Sequence, residues 1–109
     1  MKIAVSATDG SMNALVSEQF GRCAYLLIVD SENMTCEPVL NPAAGMSGGA
    51  GPKAVRAIAA KGAELVLTGR VGMNAENALK AAGIRAVVGV SGSKTVRQAV
   101  EEHLKAPSQ

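Results

Sequence analysis

The sequence predicts an α/β protein built on a mixed, mostly parallel sheet. Short apolar runs rich in β-branched residues recur along the chain. From residue 52 onward they alternate with segments whose apolar residues repeat at helical spacing. A hairpin-like pair of runs precedes the first helix, so one strand must run against the others. The order read along the chain is β β β α β α β α.

Each element has a local reason. Residues 2–7 have the buried character of a core strand and end in the turn-rich stretch Thr8-Asp-Gly-Ser11. Residues 25–29 form a continuous apolar run, the strongest strand signal in the chain. Residues 30–33 make a tight connection to 34–40, which alternates weakly. Pro38 lacks an N–H for a ladder and marks this run as an edge strand. Residues 41–51 are rich in glycine and alanine without periodicity and read as a loop. Pro52 suits the first turn of a helix carrying Val55, Ile58 and Ala59, which stops at Gly62. Residues 64–68 form a buried strand, and 74–82 a second helix with Gly83 at its C-cap. Residues 84–90 form the last strand. Ser93 is the expected N-cap of a third helix with Val96, Val100, His103 and Leu104 on one face and Pro107 beyond its end. One domain over 1–109 is expected, with 104–109 a frayed tail.

Composition excludes several functions. The chain has 109 residues, is 48% hydrophobic, and carries 11 Lys and Arg against 9 Asp and Glu, a net charge of +2. That apolar share is globular, and the charge is too small and too evenly spread for a nucleic-acid or membrane-surface protein. Phe20 and Tyr25 are the only aromatics, too few for base stacking. No apolar run approaches the roughly 18 residues of a membrane span. Asp9 interrupts the N-terminal apolar stretch before a signal-peptide core could form, so a cytoplasmic location is expected.

If the second strand is the reversed one, its start shares one sheet edge with the C-terminal ends of the other four. That edge gathers residues 8–13, 19–23, 41–51, 69–74 and 91–94, and ligands bind at such edges of open α/β sheets. The set includes Asp9, Gly10, Gly21, Gly49, Gly51 and Gly69, the cations Arg22, Arg70 and Lys94, Met12, Met46 and Met73, and Cys23. Glycines let backbone N–H groups approach a ligand, and helix N-termini near Pro52, Asn74 and Lys94 aim partial positive charge at the same place. The edge should prefer an anion. Taken singly, each glycine is equally well explained as a tight turn. No nucleotide-binding glycine fingerprint is present, and Ser91-Gly-Ser-Lys-Thr95 is too short to count as one.

The cysteines can be placed by register. With the hairpin turning near Glu32, position i pairs with about 64 − i, so Cys36 lies opposite about Ile28 and Cys23 opposite about Asn41. The two thiols are then roughly 16 Å apart along the ladder and do not form a disulfide. Cys36 reads as a packing residue on an outer strand. Cys23, beside Arg22 at the ligand edge, is either a soft metal ligand or a small buried hydrophobe. His103 sits about nine helical residues past Lys94, roughly 14 Å from the edge. Asp9 and Glu18 are single carboxylates of the kind that cap turns. Without a histidine at the edge, no Ser-His-Asp or Cys-His set forms, and the chain is not expected to be an enzyme.

The segments Met1-Lys-Ile-Ala-Val5, Thr8-Asp-Gly10, Val16-Ser-Glu-Gln-Phe-Gly-Arg22, 25–30, Asn41-Pro42, Gly49-Ala-Gly51 and Thr68-Gly69 together resemble the dinitrogenase iron–molybdenum cofactor-binding family. This family includes NifX-like, NafY-like and NifB C-terminal-domain-like members as well as small stand-alone ones. The resemblance covers nearly the whole chain. It implies a ribonuclease H-like three-layer α/β/α fold with a five-stranded sheet in the order 3-2-1-4-5 and strand 2 antiparallel. It also implies binding or carriage of an iron–molybdenum cofactor or related iron–sulfur cluster, without turnover. Nitrogenase-like or cluster-assembly proteins are the partners it suggests. Such a guest is anionic and rich in sulfur, and suits a positive, glycine-lined edge. Gln19 stands where many members carry histidine before the Phe-Gly pair, and Met46 lies in a loop where some carry another.

The expected cofactor-binding residues are therefore Asp9, Gly10, Phe20, Gly21, Arg22, Gly49, Gly51, Gly69, Arg70 and Lys94, with Cys23 as the metal ligand. Two other functions fit the same residues. One is a site for another anionic small molecule, such as a phosphate-bearing metabolite. The other is an interaction module of cluster assembly, with Met12, Met46 and Met73 as its exposed contact patch.

Overall fold

A computed structural model describes residues 1–105, in the element order β1 (Lys2–Ala7), β2 (Tyr25–Asp30), β3 (Thr35–Leu40), α1 (Ala50–Ala60), β4 (Leu65–Leu67), α2 (Met73–Ala82), β5 (Arg85–Val87) and α3 (Val96–Lys105). The strands form one sheet in the order β3-β2-β1-β4-β5. β2 is antiparallel to β1 and β3, whereas β4 is parallel to β1 and β5. This is the α/β architecture and strand order expected from the sequence.

The central strands explain why their apolar runs are continuous. Ile3, Ala4, Val5 and Ala7 of β1, Leu26 to Val29 of β2 and all of β4 are buried, because helices cover both faces of the sheet. One face packs Ala4, Leu26, Ile28 and Val66 against Ala54, Val55 and Ile58 of α1 and Ala75 and Leu79 of α2. The other packs Ile3, Val5, Leu27, Val29, Leu65 and Leu67 against Val96, Ala99 and Val100 of α3. β3 is an outer strand, and Pro38 sits there opposite Leu27, where its missing N–H costs nothing on the free side.

Register and ends differ from expectation in several places. Tyr25 pairs with Leu40 and Val29 with Cys36, so the hairpin is one residue out from the expected pairing. Met34, at φ 56, supplies the left-handed turn residue that shifts it. Both cysteines are free, as their separation requires. β5 is shorter than expected, because regular pairing is interrupted after Val87 at Gly89, φ 83. The Gly89 and Val90 N–H groups still donate to Gly69 O at 2.8 Å and Thr68 O at 3.1 Å. Gly83, at φ 72, closes α2 in the left-handed C-cap anticipated for it. Helix α3 continues through Leu104 and Lys105, which were expected to fray, while the rest of the expected tail, including Pro107, lies outside the described residues.

Ser93 is not the N-cap of α3. Thr95 Oγ1 accepts from the Gln98 N–H at 3.1 Å, and Gln98 Oε1 accepts from the Thr95 N–H at 2.9 Å. This is a reciprocal capping box, which satisfies two first-turn donors at once and so outcompetes a lone hydroxyl further back. The Ser93 hydroxyl is paired with Ser91 instead. Thr95→Ala should lower unfolding stability by about 1 kcal/mol in urea titrations, with Ser93→Ala close to neutral; equal losses would return the cap to Ser93.

Candidate functional site

The edge where β1, β4 and the start of β2 meet carries a cavity of about 670 Å³, open on one side and lined by residues 19–22, 49–52 and 70–75. That volume suits a small guest. Three loops build it, and each is held by a contact that dictates its sequence. Gln19 bridges Arg70 in parallel fashion; the Arg70 N–H donates to Glu18 O at 2.8 Å and the Phe20 N–H to Arg70 O at 3.3 Å. These bonds zip the loop after β4 to the segment before β2. They require Gly69, where a Cβ would lie 2.5 Å from Glu18 Cβ. Phe20, 1% exposed, is the apolar floor and belongs to the core beneath α1 and α2.

The other walls are the starts of α1 and α2. A Cβ on Gly51 would lie 2.7 Å from Ala75 Cβ, and one on Gly21 would lie 3.2 Å from the Gly51 nitrogen. The two helix starts thus touch each other so closely that a Cβ at Gly51 is excluded, and one at Gly21 would require the Gly51 backbone to give way slightly. Gly49 at φ 70 and Gly72 are the N-caps, and neither helix has a side-chain cap. Their first-turn donors, those of Ala50 and Gly51 and those of Met73 to Ala75, belong to residues that line the cavity and lack a side-chain cap, which sets the partial positive charge of two helix N-termini at its wall. Pro52 occupies a first-turn position where no N–H is needed.

The charged lining is Arg22 and Arg70, with no carboxylate. Neither arginine forms an ion pair among the described residues. The Arg22 guanidinium also donates to Met46 O at 2.8 Å and Ser47 O at 3.3 Å, tying down the loop that leads into α1. Both charged side chains in the lining are therefore positive, while Glu76 stands in the first turn of α2.

The structure thus brings Phe20, Gly21, Arg22, Gly49, Gly51 and Arg70 together, with Gly69 just behind the wall. Four expected site residues are placed elsewhere. Asp9 turns back to accept from the Gly10 N–H at 2.7 Å, and Gly10 packs beside Tyr25 and Pro38. Lys94 is ion-paired with Glu102 one helix face away and lines a second cavity of about 280 Å³ with Val87, Val90 and His103. The α3 N-terminus is likewise closed by its capping box, and the Gly92 N–H of the Ser91–Thr95 stretch already binds the Glu18 carboxylate at 2.7 Å.

Cys23 is the fourth. It is 2% exposed in the core under α1, and its thiol donates to Phe20 O at 3.1 Å. Gly21 and Arg22 form a turn before β2 starts at Tyr25, and that turn leaves Arg22 at the cavity while folding Cys23 back over Phe20 into the core. Burial pushes its pKa up to about 11, against which backbone and Asn41 hydrogen bonds pull only weakly. A thiol held neutral and inside is a packing group, whereas metal ligation needs the thiolate. Among the described residues, no three His, Cys, Asp or Glu side chains gather to hold a metal ion. Met12 is buried and Met46 half-buried, so of these three only Met73, 78% exposed at the cavity rim, faces outward, and the expected three-methionine patch does not form.

Ala50, Asn74 and Ala75 lie outside the expected set of site residues, Asn74 having been expected only as an approximate helix start, and they matter through backbone N–H groups that any residue supplies. Their signal lies in the flanking Gly49 and Gly72, caps without a capping side chain.

The sequence matches the family described as dinitrogenase iron–molybdenum cofactor over residues 1–106, and the chain belongs to it. Among solved structures, the apo form of the orange protein from Desulfovibrio gigas is 43% identical. It superposes with a TM-score of 0.90 over 94% of this chain and 86% of that one. An NMR structure of a candidate NifB protein of the DUF35 family from Thermotoga is 33% identical, with a TM-score of 0.81 over 95% of this chain and 87% of that one. A crystal structure of PH0822 is 28% identical, with a TM-score of 0.80 over 95% and 90% of the two chains. Comparison with curated proteins finds no match.

Gly51→Ala should cost about 1–3 kcal/mol of stability in denaturant titrations, because Ala75 cannot give way without moving α2. Gly48→Ala, with nothing within 4 Å, should be nearly neutral. Cys23 predicts a pH effect. Its folded pKa lies above the unfolded value of 9.0, so the unfolded chain ionises first as pH rises, and the Cys23 contribution is full below pH 9 and lost toward pH 11. The melting-temperature advantage of wild type over Cys23→Ala should shrink across that window; a constant difference would refute the buried neutral thiol.

Proposed function

We propose that this chain binds and carries an anionic metal–sulfur cluster of the iron–molybdenum cofactor type in the cavity between α1 and α2, without turning it over. The carrying observation is the lining itself: two uncapped helix N-termini and two arginines without a carboxylate. Family membership supplies the chemical class of the cargo. The cluster is held by charge and N–H donors around its sulfur and anionic face, and Cys23 takes no part. Arg22 and Arg70 are the counter-charges, Gly21, Gly49, Gly51 and Gly72 let the guest approach the backbone, and Phe20 excludes water from below. Met73 stands at the mouth as the one exposed soft atom.

Magnitudes agree with a carrier. At about 0.5–1 kcal/mol per helix end and about 1.5–3 kcal/mol per arginine, the gross attraction is roughly 4–8 kcal/mol, equivalent to dissociation constants between about millimolar and micromolar. A compact cluster bearing several charges on one face engages all four groups at once; a lone phosphate engages fewer. Such affinity permits hand-over to a nitrogenase-like or cluster-assembly partner, and the open mouth admits one. His103, the only histidine, lies by the other cavity, away from this lining.

Anaerobic absorbance titration with tetrathiomolybdate, a molybdenum–sulfur anion, tests the reading. Wild type should bind it; Arg22→Ala and Arg70→Ala should each weaken binding roughly tenfold or more, and Cys23→Ser by less than about twofold. Binding that survives loss of both arginines, or that vanishes with Cys23→Ser, would contradict the proposal. Equal protection by inorganic phosphate in thermal melts would point instead to a general anion site.

A further inference from the structure

Asn41 lies behind the cavity and lines none of it, yet its side chain holds three separate parts of the wall. It is 6% exposed. Its Nδ2 donates to Gly21 O at 3.1 Å and to Cys23 O at 2.9 Å, the two carbonyls that flank Arg22. Its Oδ1 accepts from the Ala43 N–H at 3.0 Å, which starts the turn running toward Gly49. Its own N–H donates to Ala24 O at 3.0 Å, extending the β2–β3 pairing one step past Leu40. One buried amide therefore fixes the backbone on both sides of Arg22 and the beginning of the loop that Arg22 grips from the far end, through Met46 O and Ser47 O. That loop includes Gly45 and Gly48, which have nothing within 4 Å of a Cβ position. These two anchors hold its ends, while the Ala44 N–H donating to Asn41 O at 3.2 Å, the Met46 N–H donating to Ala43 O at 3.0 Å and the buried Ala43 hold its first turn.

We propose that Asn41 is the positioning residue of the cavity: it sets Arg22, and through Arg22 the 43–49 loop and the start of α1. The inference rests on the cargo reading above for its purpose, and on the hydrogen-bond geometry alone for its mechanics. No other side chain can replace it simply. Asp keeps the acceptor for Ala43 but puts a second acceptor against two carbonyls, and Ser is too short to reach both.

The test is a double-mutant cycle with two readouts, on Asn41→Asp, Arg22→Ala and the double variant, with Asn41→Ser as a second form should Asp impair folding. In tetrathiomolybdate titrations, Asn41→Asp should weaken binding roughly tenfold, and the double variant should be no weaker than Arg22→Ala within about twofold, because the asparagine acts through the arginine. In hydrogen exchange without any guest, the amides of residues 45–49 should exchange faster in both single variants, and no faster still in the double. Independent, additive losses in affinity overturn the proposal, as does exchange at 45–49 that is unchanged in Asn41→Asp or Asn41→Ser. If wild type takes up no tetrathiomolybdate, the cargo reading fails, while the exchange cycle still decides whether Asn41 positions Arg22.

Discussion

The near-collision of Gly51 with Ala75 is the constraint on which the site depends. Two helices that start against one another, with the Gly21 backbone wedged beside them, bring two sets of unpaired N–H groups to one place. The sheet determines that this happens at its carboxyl edge, because β1 and β4 run parallel and each delivers its following segment to the same side. The cores on the two faces have different duties. The α1–α2 face reaches up through Phe20 to become the cavity floor, whereas the α3 face is closed by its own cap and ion pair.

The electrostatics follow from what is left unpaired. Two lysines are matched by carboxylates: Lys61 meets Glu37 at 2.5 Å, which holds that carboxyl below its usual range, and Lys94 meets Glu102. Such exposed pairs contribute little to stability. At the cavity the wall presents two arginines and two helix ends to solvent, with no carboxylate in the lining itself and Glu76 in the first turn of α2. Leaving them so costs mutual repulsion that an anionic guest relieves, and a carboxylate introduced by chance would fill the same role from within. Glu18 illustrates that alternative: its carboxylate occupies the Gly92 N–H and so closes the neighbouring glycine turn to any ligand.

Much of this was legible in the sequence, and the exceptions have identifiable causes. Apolar runs, Pro38 and the order of connections were enough for the strand order, since parallel crossovers and one hairpin leave few arrangements. Which loops share an edge followed from that topology. Which way a side chain points did not. Arg22 and Cys23 are neighbours in sequence and opposite in space, because the chain turns at Gly21 and Arg22 before it enters β2. Lys94 looked available until the turn of α3 brought Glu102 beneath it. Met12 looked exposed in a turn-rich loop, yet that loop folds over the α3 face of the sheet. The Thr95–Gln98 capping box was present in the sequence as a spacing of three and was the better cue than Ser93. Asn41, visible only as part of an Asn-Pro pair, gained its role from carbonyls nearly twenty residues away, which no local pattern encodes.

The central claim is that cargo sits on the backbone donors at the joined helix starts. Amide NMR shift mapping during a tetrathiomolybdate titration tests it most directly. The account predicts that the largest changes fall on Ala50, Gly51, Met73, Asn74 and Ala75, with Gly21 and Arg22 next and Gly92 to Thr95 unmoved. Changes concentrated around Gly92 and Lys94, or confined to the neighbours of Cys23, would contradict it.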